Sequence, residues 1–162
     1  MQIKFEQIPI QQNSSFHSHI NDSPRYLFDM HHHPQYELVY FNQGQGKAYA
    51  IQTVIDYDQG DLILFGPNIP HTFVSKSSQN EAIIIQFSHD FLGEKAWQNK
   101  DLVTIKKVLT ESNKGLIFKN VITNNIKEKI LNIPNIAGFD RLMRLLEILN
   151  SISLLESFPL LK

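Results

Sequence analysis

Short β-forming runs recur through the first 89 residues, with gaps too small to hold a helix between most of them. Ile3–Ile8, Arg25–Met30, Gln35–Phe41, Lys47–Ile51, Thr53–Tyr57, Asp61–Phe65, Thr72–Lys76 and Ala82–Phe87 are the candidate strands. Turn-forming residues separate several of them: the run from Asn42 to Gly46, Asp58-Gln59-Gly60, Gly66-Pro67-Asn68 and the run from Ser77 to Asn80. A parallel βαβ arrangement needs a dozen or more residues at each crossover, which the gaps between Arg25 and Ala82 do not supply. The spacing therefore predicts a mainly β fold, an antiparallel sandwich or barrel.

Near residue 90 the apolar period changes to that of a helix. Asp101–Ser112 places Leu102, Ile105, Val108 and Leu109 on one stripe, and Thr123–Leu131 does the same with Ile126, Ile130 and Leu131. Asp140–Leu155 carries Leu142, Leu145, Leu146, Leu149 and Ile152, and Met143, Ile148, Leu154 and Leu155 widen its stripe beyond what one surface face needs. That helix is expected to bury two faces, one on the β layer and one on another helix or subunit. The organisation predicted is a β-barrel over residues 1–89 and a small helical subdomain over residues 90–162. A homodimer through Asp140–Leu155 is expected, with Leu142, Leu145, Leu149 and Ile152 packed against their copies.

Composition removes several function classes. A chain of 162 residues buries enough surface to fold without staples. Its net charge of −1 offers no basic face for phosphates. Apolar runs such as Ala82–Ile85 fall far short of the ~20 residues of a membrane helix. The start MQIKFEQIPI has neither the basic nor the apolar region of a signal peptide. The absence of cysteine excludes disulfides and thiolate chemistry and fits a cytoplasmic protein.

The chemistry concentrates in His31-His32-His33-Pro34-Gln35-Tyr36-Glu37. On a strand, residues two apart share a face, so His31, His33, Gln35 and Glu37 are predicted to point one way and His32 the other. His71, after the Gly66–Pro70 turn, is the candidate to complete the set. Three imidazoles and a carboxylate suit one divalent transition metal, Zn, Ni, Fe, Mn or Cu. The same groups can instead contact a polar effector, or satisfy one another as a hydrogen-bond network. A buried carboxylate beside neutral imidazoles is costly without a cation or protons.

The spacing resembles the cupin superfamily. Its first motif, H-x-H-x3-E-x6-G, reads His31, His33, Glu37 and Gly44 here, and its second runs from Gly60-Asp61 to His71. The glycine that usually precedes the first motif falls on Arg25, the inner Pro-x-Gly reads Gly66-Pro67-Asn68, and the late asparagine falls on Ser75. The strings from His33 to Tyr40 and from Gly60 to His71 are similar to the sensor half of AraC-type bacterial transcription regulators. Arg141 to Leu149 is similar to the helix that precedes their DNA-binding domain.

This resemblance implies a domain that binds a small-molecule effector, a sugar or related metabolite, and dimerises. DNA would be reached only through a domain lying outside this chain, which is expected to be a sensor fragment. The rival is a metal-dependent cupin enzyme, an oxygenase or isomerase, using the same four residues. His17 and His19 form a second H-x-H pair, expected as a polar strand edge. His89 is expected to be solvated, and Trp97 to anchor a short helix.

Overall fold

The computed structural model describes residues 2–23 and 29–162. The strands are β1 (Lys4–Phe5), β2 (His17–Asn21), β3 (His31–His32), β4 (Tyr36–Gln43), β5 (Gly46–Ala50), β6 (Thr53–Tyr57), β7 (Leu62–Phe65), β8 (His71–Ser75), β9 (Glu81–Phe87), β10 (Leu116–Phe118) and β11 (Phe158–Pro159). They form two facing sheets, β1-β3-β8-β5-β6 and β11-β10-β7-β4-β9-β2. Apart from the parallel β1–β3 pair the pairing is antiparallel. This is the expected mainly β architecture, two facing sheets followed by a helical C-terminal part. The predicted strand Arg25–Met30 lies, but for Asp29 and Met30, outside the described residues.

The six-stranded sheet is buried on both faces, which is why β4, β7 and β9 read as mostly continuous apolar runs, broken in β4 by Glu37 and in β9 by Gln86. Val39, Phe41, Ile63, Phe65 and Ile84 point between the sheets and pack with Ala48, Tyr57 and Phe73. Leu38, Tyr40, Leu62, Leu64, Ile83 and Ile85 point outward and are covered by helices. These are α1 (Val103–Glu111), α2 (Asn124–Asn132) and α3 (Gly138–Ser153), close to the predicted spans. Thr123 caps α2 by accepting from the Ile126 N–H. Trp97 is buried and donates its indole N–H to the His89 carbonyl at 2.7 Å, anchoring the short helical turn Glu94–Gln98. His89 itself is exposed, and its ring stacks on Trp97.

The C-terminal half does more than cover the sheet. Its strand β10 extends the sheet beside β7, with Leu116 opposite Leu64 and Phe118 opposite Leu62. A three-residue apolar run between helical stretches carries no periodic signal, so this strand was not expected.

Helix α3 corrects the proposed dimer seam. Leu145, Leu149 and Ile152 are 0% exposed within a single chain, and Leu142 is half-buried. Their faces meet the β layer, α1 and α2, so the second buried face belongs to neighbouring helices of the same chain. The apolar positions that α3 leaves in solvent are at its ends, Phe139 at 73% and, just past the last turn, Leu154 at 72%.

Arg141 ties α3 to the segment before β2. Its guanidinium donates to Ser14 Oγ at 2.6 Å, the Phe16 carbonyl at 2.8 Å and Ser18 Oγ at 2.9 Å, and lies 3.8 Å from the centroid of the Phe16 ring. Hydrogen bonds to a charged group contribute roughly 1.5–3 kcal/mol. Arg141→Ala is expected to lower unfolding stability by about that much, measured by urea titration. Unchanged stability would show that water replaces the guanidinium without loss.

Candidate metal centre

The chain crosses between the two sheets at the histidine run. β3 lies in the five-stranded sheet, with His31 directly opposite His71 on β8. Residues 33–35 then bend, and β4 begins at Tyr36 in the six-stranded sheet. Pro34 has no N–H to give a ladder, so one continuous strand from His31 to Glu37 is not formed. The expectation of a single shared strand face is thereby corrected. The crossover nevertheless delivers the side chains to one place, because Glu37 joins Val39 and Phe41 on the inward face of β4.

His31, His33, Glu37 and His71 bring one ligand atom each to within 4.8 Å of one another. His33 Nε2 is 2.9 Å from Glu37 Oε2, and His71 Nε2 is 3.2 Å from Glu37 Oε1. The second contact falls outside hydrogen-bond geometry, so His71 Nε2 is buried without a hydrogen-bond partner. Gln35 joins through its backbone, its carbonyl accepting from His33 Nδ1 at 3.1 Å. The Gln35 side-chain oxygen is buried and hydrogen-bonds to nothing. The motif's Gly60-Asp61 pair lies away from the cluster and builds a turn: Gly60 has φ 91°, and Asp61 Oδ2 accepts from the Asp58 N–H at 2.9 Å.

Each imidazole is oriented the same way. His31 Nδ1 donates to the Asp29 carbonyl at 3.0 Å, His33 Nδ1 to that of Gln35, and His71 Nδ1 to that of Ile69 at 2.7 Å. A ring whose Nδ1 holds the proton presents an Nε2 lone pair, and backbone carbonyls commonly play this part behind metal-binding histidines. Phe65 stacks on His71 with ring centroids 4.4 Å apart, restricting that ring further. Three Nε2 atoms thus aim at one point beside a carboxylate.

Electrostatics agree with that crowding. Burial alone would raise the Glu37 carboxyl, but the charge of His71 and the hydrogen bond with His33 hold it well below the usual carboxylate range. Burial pulls His71 down, and the Glu37 charge overcomes this and pushes it above its ordinary value. His31 is lowered, by burial first and by the charge of His71 second. The raised His71 and the lowered Glu37 each favour the charged form of the other.

Three residues at the site were not expected there. Gln86 on β9, opposite Glu37, donates from Nε2 to Glu37 Oε2 at 2.7 Å. Its signal was legible as the polar residue on the inward face of Ala82, Ile84 and Gln86. Glu6, just after β1, lies 3.5 Å from His31 Nε2 through Oε2. His17 and His19 do lie on an edge strand, as expected, and His19 in addition lines the site. The β2 register sets His17 opposite Gln86 and His19 opposite Ile84, so both share the inward face. Glu6, His19, His31, Glu37 and Gln86, with Phe73 and Ile84, line an open pocket of about 20 Å³. That is room for about one water-sized body.

The family model of the AraC-like ligand binding domain matches residues 14–100. The chain belongs to this family. The AraC-like domain is a ligand-binding module. ToxT from Vibrio cholerae is similar at 15% identity over 82% of this chain and 53% of its own, with a TM-score of 0.56. ToxT bound to (E)-4-(8-methylnaphthalen-1-yl)but-3-enoic acid is similar at 18% identity over 88% and 57%, with a TM-score of 0.57. A cupin 2 conserved barrel domain protein from Salinispora arenicola aligns over 58% of this chain and 80% of its own, at 16% identity and a TM-score of 0.45. The AraC-like domain described here thus spans little more than half the length of the ToxT chains. At these identities the ToxT likeness shows the fold. No curated protein sequence matches the chain. Among the described residues no helix is long and apolar enough to cross a membrane.

Proposed function

We propose that this chain is the sensing domain of an AraC-type transcription regulator and that its histidine cluster holds one divalent transition metal ion. The carrying observation is the convergence of three Nε2 atoms on Glu37, each imidazole held by a backbone carbonyl at Nδ1. His33 Nε2 and Gln86 Nε2 both hydrogen-bond Glu37 Oε2, whereas His71 Nε2, 3.2 Å from Oε1, is buried with no hydrogen bond, and that unfilled ring nitrogen supports a cation. His31, His33, Glu37 and His71 would be the ligands, a nitrogen-rich set that suits Zn, Ni, Fe, Mn or Cu. The ion would supply the positive charge that His71's proton supplies without it.

The homodimer through α3 belongs to the same reading. It would use the exposed N-terminal end of that helix, at Phe139, and not Leu145 or Leu149. Contact with DNA would fall to a domain outside this chain, because its net charge of −1 offers no phosphate-binding face.

Purified chain titrated calorimetrically with Ni²⁺ or Zn²⁺ should bind one equivalent, and His33→Ala should bind neither ion measurably. Wild-type protein that takes up no metal, or His33→Ala that binds as tightly as wild type, would end the metal reading.

A further inference from the structure

Glu6 reaches the histidine cluster from the N-terminal segment. β1 pairs parallel to β3, with Lys4 beside His31 and Phe5 beside His32, and the Glu6 N–H continues the pairing to the His32 carbonyl at 3.0 Å. The backbone is therefore fixed where its next side chain projects over the cluster. Glu6 Oε2 is 3.5 Å from His31 Nε2 and 4.0 Å from His33 Nε2. Although the side chain as a whole is 43% exposed, this one oxygen is fully buried and accepts no hydrogen bond. A carboxylate oxygen so placed in a protein interior wants a cation.

The spacing suits a shared ion. Ligand atoms about 2.1 Å from a metal lie about 3.0 Å apart at right angles and about 4.2 Å apart across it. The contacts within the cluster, 2.9, 3.2, 3.5 and 4.0 Å, fall in or at the edge of that range. The charges agree as well: Glu6 and Glu37 bring two carboxylates to three imidazoles, a set that a divalent cation balances.

We propose that Glu6 is a fifth protein ligand, resting on the metal reading above. It would fill the position that a catalytic site leaves open for water or substrate. The site would then be closed by the chain itself, and a bound ion would hold more tightly the N-terminal segment that the β1–β3 pairing already places there. The metal would be the sensed species rather than a reagent toward an organic substrate, which separates this domain from the enzyme alternative. Binding that orders a segment shifts its population by the affinity difference between docked and undocked states.

The test titrates Co²⁺ or Ni²⁺ into wild type, Glu6→Gln and Glu6→Ala, and follows affinity, Co²⁺ visible absorption and amide hydrogen exchange over residues 2–10. Glu6 is half-exposed outside the core, and circular dichroism checks that the variants fold. Wild type should bind one ion and slow exchange in that segment. Both variants should bind 10- to 100-fold more weakly, show a more intense Co²⁺ band from a lower coordination number, and lose the metal-dependent protection. Variants that match wild type in affinity, spectrum and exchange would overturn the proposal while leaving the four-ligand site standing. Wild type that binds no ion would overturn the underlying metal reading together with it.

Discussion

Replacing Leu145 and Leu149 together with aspartate will unfold the chain rather than dissociate an assembly. Both leucines are 0% exposed in one chain and lie in the apolar layer between the six-stranded sheet and the helices. Cutting a buried leucine back to alanine costs roughly 2–5 kcal/mol through lost transfer energy and the cavity left behind. An unpaired carboxylate in the same place costs more, since nothing among these apolar neighbours can solvate it. Two such losses approach or exceed the ~5–15 kcal/mol that holds a domain together. Circular dichroism should show loss of native structure at 25 °C, whereas Leu154→Asp, at a site 72% exposed, should stay folded with a change within about 0.5 kcal/mol. A folded, soluble double variant would place these leucines at an interface after all. Tests of self-association therefore belong at Phe139, where a substitution leaves the core intact.

Glu37→Gln will cut metal affinity by more than the 10- to 100-fold that loss of an outer-sphere partner typically costs, because it removes a ligand rather than its support. The substitution keeps shape and leaves Gln86 and His33 in place, so the variant should fold. Wild-type affinity should also depend on acidity. His71 is raised above its ordinary 6.5 in the metal-free protein and must lose its proton to bind an ion. Below that raised value each unit fall in pH should weaken binding about tenfold, one proton competing with one ion.

The metal-free pair has a stability window with the opposite signs at its two edges. Glu37, held below its ordinary 4.5, contributes stability that is full above 4.5 and fades as pH falls through its lowered value. His71, raised, contributes stability that is full below 6.5 and fades as pH rises through its raised value. The excess stability of wild type over Glu37→Gln, taken from denaturant titrations without metal, should therefore be largest between pH 4.5 and 6.5. A difference that is flat across pH 3–8, or metal affinity in Glu37→Gln equal to wild type, would show that Glu37 does not govern the cluster.

How much of this could be read without the structure depends on the range of the interactions involved. Strand and helix periods are local, so the mainly β first half, the three helices and the anchoring role of Trp97 were legible from residue spacing. The convergence of His31, His33, Glu37 and His71 was legible too, because motif spacing carries a fixed loop geometry along with it. The assumed single strand face failed at Pro34, where a missing backbone donor lets the chain pass from one sheet to the other. Sequence could not say that Leu145 and Leu149 face α1, α2 and the sheet, since an apolar stripe is the same stripe whichever partner covers it. Nor could it bring in Glu6 or orient His19, because both depend on strand registers: β1 parallel to β3, and β2 antiparallel to β9. Hydrogen bonds of that kind are satisfied equally well by many sequences, and only the assembled sheets choose which side chains they carry to the cluster. The residue types at the centre of the site were thus determined by the sequence alone. Which groups close over it was decided by tertiary pairing, because backbone ladders place side chains without consulting their identity.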